Sequence, residues 1–357
     1  MLLALLLAAC TPSDDLPEAE LLVEDASRSE VVGKGILLTI TESTGGPSYP
    51  ALLDSEGRVR WRRESSDRVL RVRAPRTGEG VLLLLDQQGA TPGRVQRETF
   101  DGRLLTVTEA TDAHHDVLEL ADGRIAWLEH VEGVTSLPKD SDAPISTDAV
   151  MAAFEGGKGE PLFHFLEDYP RDPFWTCDHM RLGQRIPGHY QWTHSNSLVQ
   201  APGRDGELGV LSRNLDGLVW FDLASGAFLE QLGGEEGTFD IGAEQLDHPH
   251  MSHAPSSDTV LVFDNRLHSR EDSRVVEWAM DRDAGTAEIV WSYTHPEIGN
   301  VGFLGDARRL PGGNTLIAWT DERRLTEVTP EGDIVWELLV DNIKYVGRVE
   351  LWEGALP

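Results

Sequence analysis

The chain has 357 residues, 40% of them hydrophobic, with 35 Gly and 19 Pro. That composition is globular, and long enough for one large all-β domain or two smaller ones. Its 61 acidic against 31 basic residues give a net charge of −30, which excludes nucleic acid and anionic lipid headgroups as partners of the folded body. Any anionic substrate would need a local cationic pocket.

Residues 2–9 form an apolar run far too short to span a bilayer as a helix. They end at Leu7-Ala8-Ala9-Cys10, which resembles a bacterial lipobox. The resemblance implies a lipoprotein signal peptide over 1–9 and a lipid anchor at Cys10, the protein's one route to a membrane. It also implies export to the periplasm, with Thr11 after the cysteine pointing to an outer-membrane lipoprotein. Residues 10–29 are polar, acidic and Pro-bearing, as suits a tether. With Cys10 modified, Cys177 has no partner, so no disulfide is expected and Cys177 reads as a small buried hydrophobe.

From residue 30 to 357 one pattern recurs: an apolar strand, a Gly-containing turn, and a second strand carrying Trp. It is seen at Ala51–Trp61, Val117–Trp127, Val275–Trp291 and Thr326–Trp336. Short Gly turns between strand-like runs are hairpin signals. Repeated along a chain with little helical periodicity, they predict a single all-β domain, a β-propeller with its tryptophans packed between sheets. At about 50 residues per blade the length fits six blades, or seven. Residues 148–165 read as another hairpin, and Asp168–His189, rich in Pro, Arg and aromatics, as a long loop.

Four polar clusters stand beside strand-like runs: His114-His115-Asp116, Trp192-Thr193-His194-Ser195-Asn196-Ser197, Ser212-Arg213-Asn214, and His248-Pro249-His250-Met251-Ser252-His253. In a propeller, groups about one blade apart in sequence can meet around the axis. Histidine serves as general base, covalent nucleophile or metal ligand, so no single cluster names a chemistry.

Taken together, in the order His-His-Asp, Trp-x-His-x-Asn-Ser, Ser-Arg, and His followed by Phe263-Asp264-Asn265, the clusters resemble the bacterial arylsulfate sulfotransferase family. The likeness extends to Asp306–Leu316 and to Tyr345-Val346-Gly347-Arg348. It implies a six-bladed propeller that moves a sulfuryl group from a phenolic sulfate ester to another phenol. A sulfated histidine is the intermediate, with no nucleotide sulfate donor, no cofactor and no metal. Family sequences place the nucleophile thirteen residues before the Phe of Phe-Asp-Asn. Here that is His250, preceded by Pro249 where Gln is usual, with His248, His253 and His114 as alternates.

By the same resemblance His115, His194, Asn196 and Arg213 occupy accessory positions. Arg213 suits two sulfuryl oxygens and His194 with Asn196 the third. His115, oriented by Asp116, would protonate the leaving phenolate. Trp192, Trp175 and Phe174 are candidate walls for the aryl rings. Two other readings compete: a catalytically silent propeller lipoprotein acting as a scaffold, and a metal site made of His248, His250 and His253. The latter run lacks the usual zinc spacing.

Overall fold

The structure, a computed structural model, describes residues 17–41, 48–63, 67–86, 91–136, 144–174, 177 and 188–357. In chain order its strands are β1 (Glu18–Glu24), β2 (Gly35–Thr41), β3 (Ser48–Asp54), β4 (Val59–Arg62), β5 (Val69–Arg73), β6 (Val81–Leu85), β7 (Arg94–Glu98) and β8 (Leu104–Glu109). Next come β9 (Ala113–Glu119), β10 (Ile125–Ser136), β11 (Pro144–Ala153) and β12 (Glu160–His164), a one-turn helix α1 (Phe165–Asp168), and β13 (Tyr190–Gln191). They are followed by β14 (Ser195–Val199), β15 (Glu207–Ser212), β16 (Gly217–Asp222), β17 (Phe228–Gly233), β18 (Pro249–His253), β19 (Thr259–Asp264), β20 (Arg274–Asp281) and β21 (Thr286–Tyr293). The last are β22 (Asp306–Arg309), β23 (Thr315–Trp319), β24 (Arg324–Val328), β25 (Ile334–Asp341) and β26 (Tyr345–Trp352).

These strands make six sheets, antiparallel except that the short β13 pairs parallel to β11, and six blades is the outcome between the two the length allowed. Blade 1 runs β26-β2-β3-β4 from the axis outward, so the last strand in chain order joins three of the first. Blades 2 to 5 are β5–β8, β9–β12, β14–β17 and β18–β21; blade 6 is β22–β25 with β1 added outside β25. Strand β1 falls within the stretch expected as a tether, so residues 18–24 are part of the propeller, with Leu21 and Val23 half-buried beside Leu338 and Glu337.

The core divides as a ring of blades requires. Six hydrophobic clusters form, each shared by two neighbouring blades. Trp192, Trp336, Trp220 with Trp278, Trp319, and Trp127 each anchor one of five clusters, and Trp61 and Trp352 pack at the edge of the sixth. Large aromatics fill the wedge between twisted sheets with few atoms left unpacked. The Gly-turn hairpins form where the sequence predicts them, but not at one equivalent blade position. Those at 51–61, 275–291 and 326–336 link β3–β4, β20–β21 and β24–β25 on the outer side of their blades, whereas 117–127 links β9 and β10 at the axis.

The innermost strands β26, β5, β9, β14, β18 and β22 touch in succession around the axis. Five of the six carry a register shift against their neighbour. A bulge places an extra residue on one strand and re-aims the side chains around it. This repeated irregularity builds the site.

Candidate active site

A cavity of about 510 Å³ opens among the inner strands, lined by His115, His194, Arg213, His250, Tyr345 and Arg348 among others. The residues come from blades 1, 3, 4 and 5, so the four sequence clusters do converge. His250 and Arg348 are buried at its base, while His115, His194 and Arg213 are half-buried around them. The imidazole centroids of His115 lie 5.2 Å from that of His194 and 6.2 Å from that of His250.

His250 sits on β18 opposite Phe263, next to a bulge at Met251, whose φ is +57°. Its Nδ1 lies 3.1 Å from the Gly305 carbonyl oxygen. A carbonyl can only accept, so Nδ1 carries the hydrogen and Nε2 the lone pair. Burial, with the nearby Arg348 charge, holds the ring's pKa well below the ordinary imidazole range, so it is neutral at pH 7.

Gly305 is specified twice. Its φ is +91°, and a Cβ there would lie 2.4 Å from the Phe263 ring. Its own N–H is held by Thr320 Oγ1 at 2.9 Å. The Phe-Asp-Asn segment thereby gains a physical meaning. Phe263 backs Gly305, and Asp264 accepts from the Asp247 N–H at 2.9 Å just ahead of β18. Asn265 pins the 301–304 loop through Val301 and Leu304 carbonyls at 2.9 and 3.1 Å.

On β9 the bulge turns three consecutive side chains in three directions, with His115 at φ +51°. His115 faces the cavity. His114 lies behind it, Nδ1 to Nδ1 at 2.7 Å, and its Nε2 is 3.1 Å from the fully buried Asp148 carboxylate. Asp116 points along the axis instead, paired with Arg73 at 2.9 Å, Arg348 at 3.1 Å and Arg71 at 3.3 Å. Burial would raise the Asp116 pKa, but those guanidinium charges outweigh it and hold the carboxyl ionised. The expected Asp116–His115 pairing is therefore replaced by an Asp148–His114–His115 chain.

Asp148 also accepts from Thr193 Oγ1 at 2.6 Å and from the Ser195 N–H at 2.5 Å, the two neighbours of His194. His194, at φ +48°, directs Nδ1 to Gln191 Oε1 at 2.9 Å. Burial first and Arg213 second lower its pKa to about 3. Because of that left-handed turn, His194 and Asn196 do not share a face. Asn196 is fully buried, absent from the cavity wall, and donates to the Pro249 carbonyl at 2.8 Å. It clamps the residue before His250 rather than facing substrate.

Arg213 follows β15 and continues its pairing with the His194 segment through N–H bonds to His194 and Thr193 carbonyls, the latter from Asn214. Its Nη1 donates to Asn214 Oδ1 at 2.9 Å. Arg348, in the expected Tyr-Val-Gly-Arg segment but unassigned by the sequence, donates to the Asn196 carbonyl beneath the cavity. Arg68 also lines the wall.

The aromatic candidates resolve differently. Trp192 is fully buried and packs with Phe165, Tyr169 and Phe174 in the cluster between blades 3 and 4. Phe174 lines a second cavity, and Trp175 lies outside the described residues. Apolar wall in the site comes from Phe303 and Tyr345, edge to face at 5.2 Å, with Leu70, Leu267 and Leu304. Nothing in the local sequence of Gly302-Phe303-Leu304 signals this; only the closing of the ring brings it to β26.

The other histidines of the 248–253 run diverge, so no single metal site unites them. His248 turns to Cys177, and His253 stays on β18 beside Arg308, Arg73 and Arg309. Cys177 is buried, as the sequence expects. Cys10 lies outside the described residues, and no helix of the described residues is long and apolar enough to cross a membrane.

Among solved structures, a Bacteroides caccae protein of unknown function is 15% identical at a TM-score of 0.56, over 90% of this chain and 99% of that one. A chain of a nidogen/laminin complex is 11% identical at 0.52, over 90% and 98%. The periplasmic gluconolactonase PpgL of Pseudomonas aeruginosa is 13% identical at 0.48, over 91% and 99%. The first two share the fold and, at such identities, nothing more. No curated protein matches. A family model described as arylsulfotransferase (ASST) matches residues 23–318, spanning the cavity's blades up to β23, and with it the chain belongs to the arylsulfotransferase family.

Proposed function

We propose that the protein is an aryl-sulfate sulfotransferase working through a sulfated His250, with no nucleotide sulfate donor. The observation that carries this reading is the Nδ1–H···O=C contact from His250 to Gly305, which leaves Nε2 with its lone pair among Arg213, His115 and His194. A neutral imidazole splits a difficult transfer into two easier ones.

In the first half-reaction Nε2 forms a bond to sulfur as the sulfur–aryloxygen bond breaks and its electron pair leaves with the phenolate. The ring gains positive charge, which the Gly305 carbonyl offsets at Nδ1. Arg213 and Arg348 offset the negative charge that the three sulfuryl oxygens share, much as in phosphoryl transfer. The phenolate takes a proton from His115 Nε2, and His115 is replenished at Nδ1 from a doubly protonated His114 held against Asp148. In the second half-reaction an acceptor phenol attacks sulfur and the nitrogen–sulfur bond breaks. The phenol's proton returns along the same two rings. Atoms and charge balance over the cycle, and the phenyl rings lie against Phe303 and Tyr345.

The test is turnover of p-nitrophenyl sulfate with a phenol acceptor. Wild type should release nitrophenolate and carry one sulfuryl group on the β18 peptide after donor alone. His250→Asn should do neither. Release that survives in His250→Asn, or a sulfuryl group mapped elsewhere, would overturn the reading. We further propose export and lipid anchoring at Cys10, supported by the Leu-Ala-Ala-Cys segment. Cys10→Ala should abolish incorporation of labelled palmitate.

A further inference from the structure

Next to the start of β18, outside the lining of the reacting cavity, five potential ligands gather in two groups that share His268. Cys177 Sγ lies 2.7 Å from His248 Nε2, and the rings of His248 and His268 are 4.1 Å apart. The donor atoms of Cys177, His248 and His268 all lie within 4.8 Å of one another, as do those of Asp216, Asp247 and His268. Cys177 and His248 are buried and His268 is exposed, so the group has an inner and an open side. A second cavity of about 350 Å³ reaches the open side, lined by Asp216, Asp247 and His268 with the acidic Glu235 and Glu236. Such a path draws in cations and repels the anions the first cavity would hold.

The surrounding bonds already orient these residues. Asp216, at φ +49°, accepts the His248 N–H at 2.7 Å. Asp247 accepts the N–H groups of His268 at 2.9 Å and of Ser269 at 2.8 Å, fixing the turn that carries His268. Partners of this kind set ligand orientation in metal sites. One thiol sulfur, two imidazoles and a carboxylate match the borderline-soft, four-coordinate preference of zinc.

We propose that the protein binds one Zn²⁺ through Cys177, His248 and His268, with Asp216 as fourth donor and Asp247 orienting His268. Binding displaces the thiol proton from Cys177, leaving a thiolate, and takes neutral imidazoles, so affinity falls in acid. The ion ties Cys177, the Asp216 turn, the start of β18 and the 266–270 turn to one point. It lies outside the reacting cavity and takes no part in transfer.

The test counts metal, independently of turnover. Protein purified from zinc-supplemented cells should carry about one zinc per chain, and cobalt substitution should give a near-ultraviolet thiolate-to-cobalt absorption band. Cys177→Ser should keep its far-ultraviolet circular dichroism yet lose that band and bind zinc at least about 10-fold more weakly, with a similar loss in His248→Ala. His250→Asn should keep both zinc and band. Wild type with only trace zinc and no band overturns the proposal. So does rapid alkylation of Cys177 at pH 7 under excess zinc, which would mark a thiolate–imidazolium pair instead.

Discussion

At the level of single residues, the three cavity histidines owe their character to burial before anything else. His115 and His250 are held well below the usual imidazole range, and His194 at about 3. A histidine whose folded pKa is depressed costs nothing above the unfolded value of about 6.5. As pH falls below that, the unfolded chain takes up a proton the fold refuses, so stability declines through the window down to about 3. Urea midpoints should therefore drop between pH 6.5 and 4, less steeply in His194→Gln. The acid limb of kcat/KM should sit well below the ordinary histidine value, because His250 keeps its lone pair there. Arg213→Lys should lower kcat/KM by about 10²-fold, since an ammonium cannot present two parallel donors to a sulfuryl group. Phe303→Ala should raise KM for aryl donors with less effect on kcat, as expected for a wall that meets ground and transition states alike.

At the level of elements, the site is made by departures from strand regularity. Bulges on β9 and β18, and left-handed backbone at His194 and His248 just ahead of β14 and β18, send His115, His194 and His250 to one cavity while Asp116, Asn196 and His248 go elsewhere. This is why sequence reasoning found the right clusters yet misassigned partners within them. Period-two alternation predicts that His194 and Asn196 share a face, and a left-handed residue breaks it. The carboxylate behind His115 is also far away in sequence, on β11, where Asp148 follows Ser146-Thr147 in an ordinary strand and carries no visible signal. Gly305 and Phe303 belong to a loop whose importance depends on contacts with blades 5 and 1. By contrast the hairpins, the all-β class and the tryptophans between sheets were legible, because turn chemistry and hydrophobic runs are local. Asp148→Asn should shift the pH profile of kcat/KM as well as lower it, and cost about 3–5 kcal/mol of stability by leaving a buried network unbalanced. Gly305→Ala should abolish turnover while the fold survives, since the added methyl must push the Phe263 ring or the carbonyl that holds His250.

For the whole molecule, the net charge of −30 surrounds a cavity built with Arg68, Arg213 and Arg348. At low ionic strength the long-range field opposes an anionic donor, and the guanidinium groups act only near contact. Salt shortens the reach of the first more than the second, the Debye length falling from about 30 Å at 0.01 M to about 10 Å at 0.1 M. The kcat/KM for an aryl sulfate should accordingly rise over that range, and that for a neutral phenol should stay flat.

Ring closure has a temporal side too. The wall that holds Tyr345 and Arg348 belongs to β26, which pairs with β2 some three hundred residues upstream. During synthesis, a half-emerged polypeptide carries its imidazoles without Arg348 beneath them. Under the mechanism proposed above, a chain whose last blade has not closed lacks that guanidinium, so an aryl sulfate should modify it far more slowly than the finished protein.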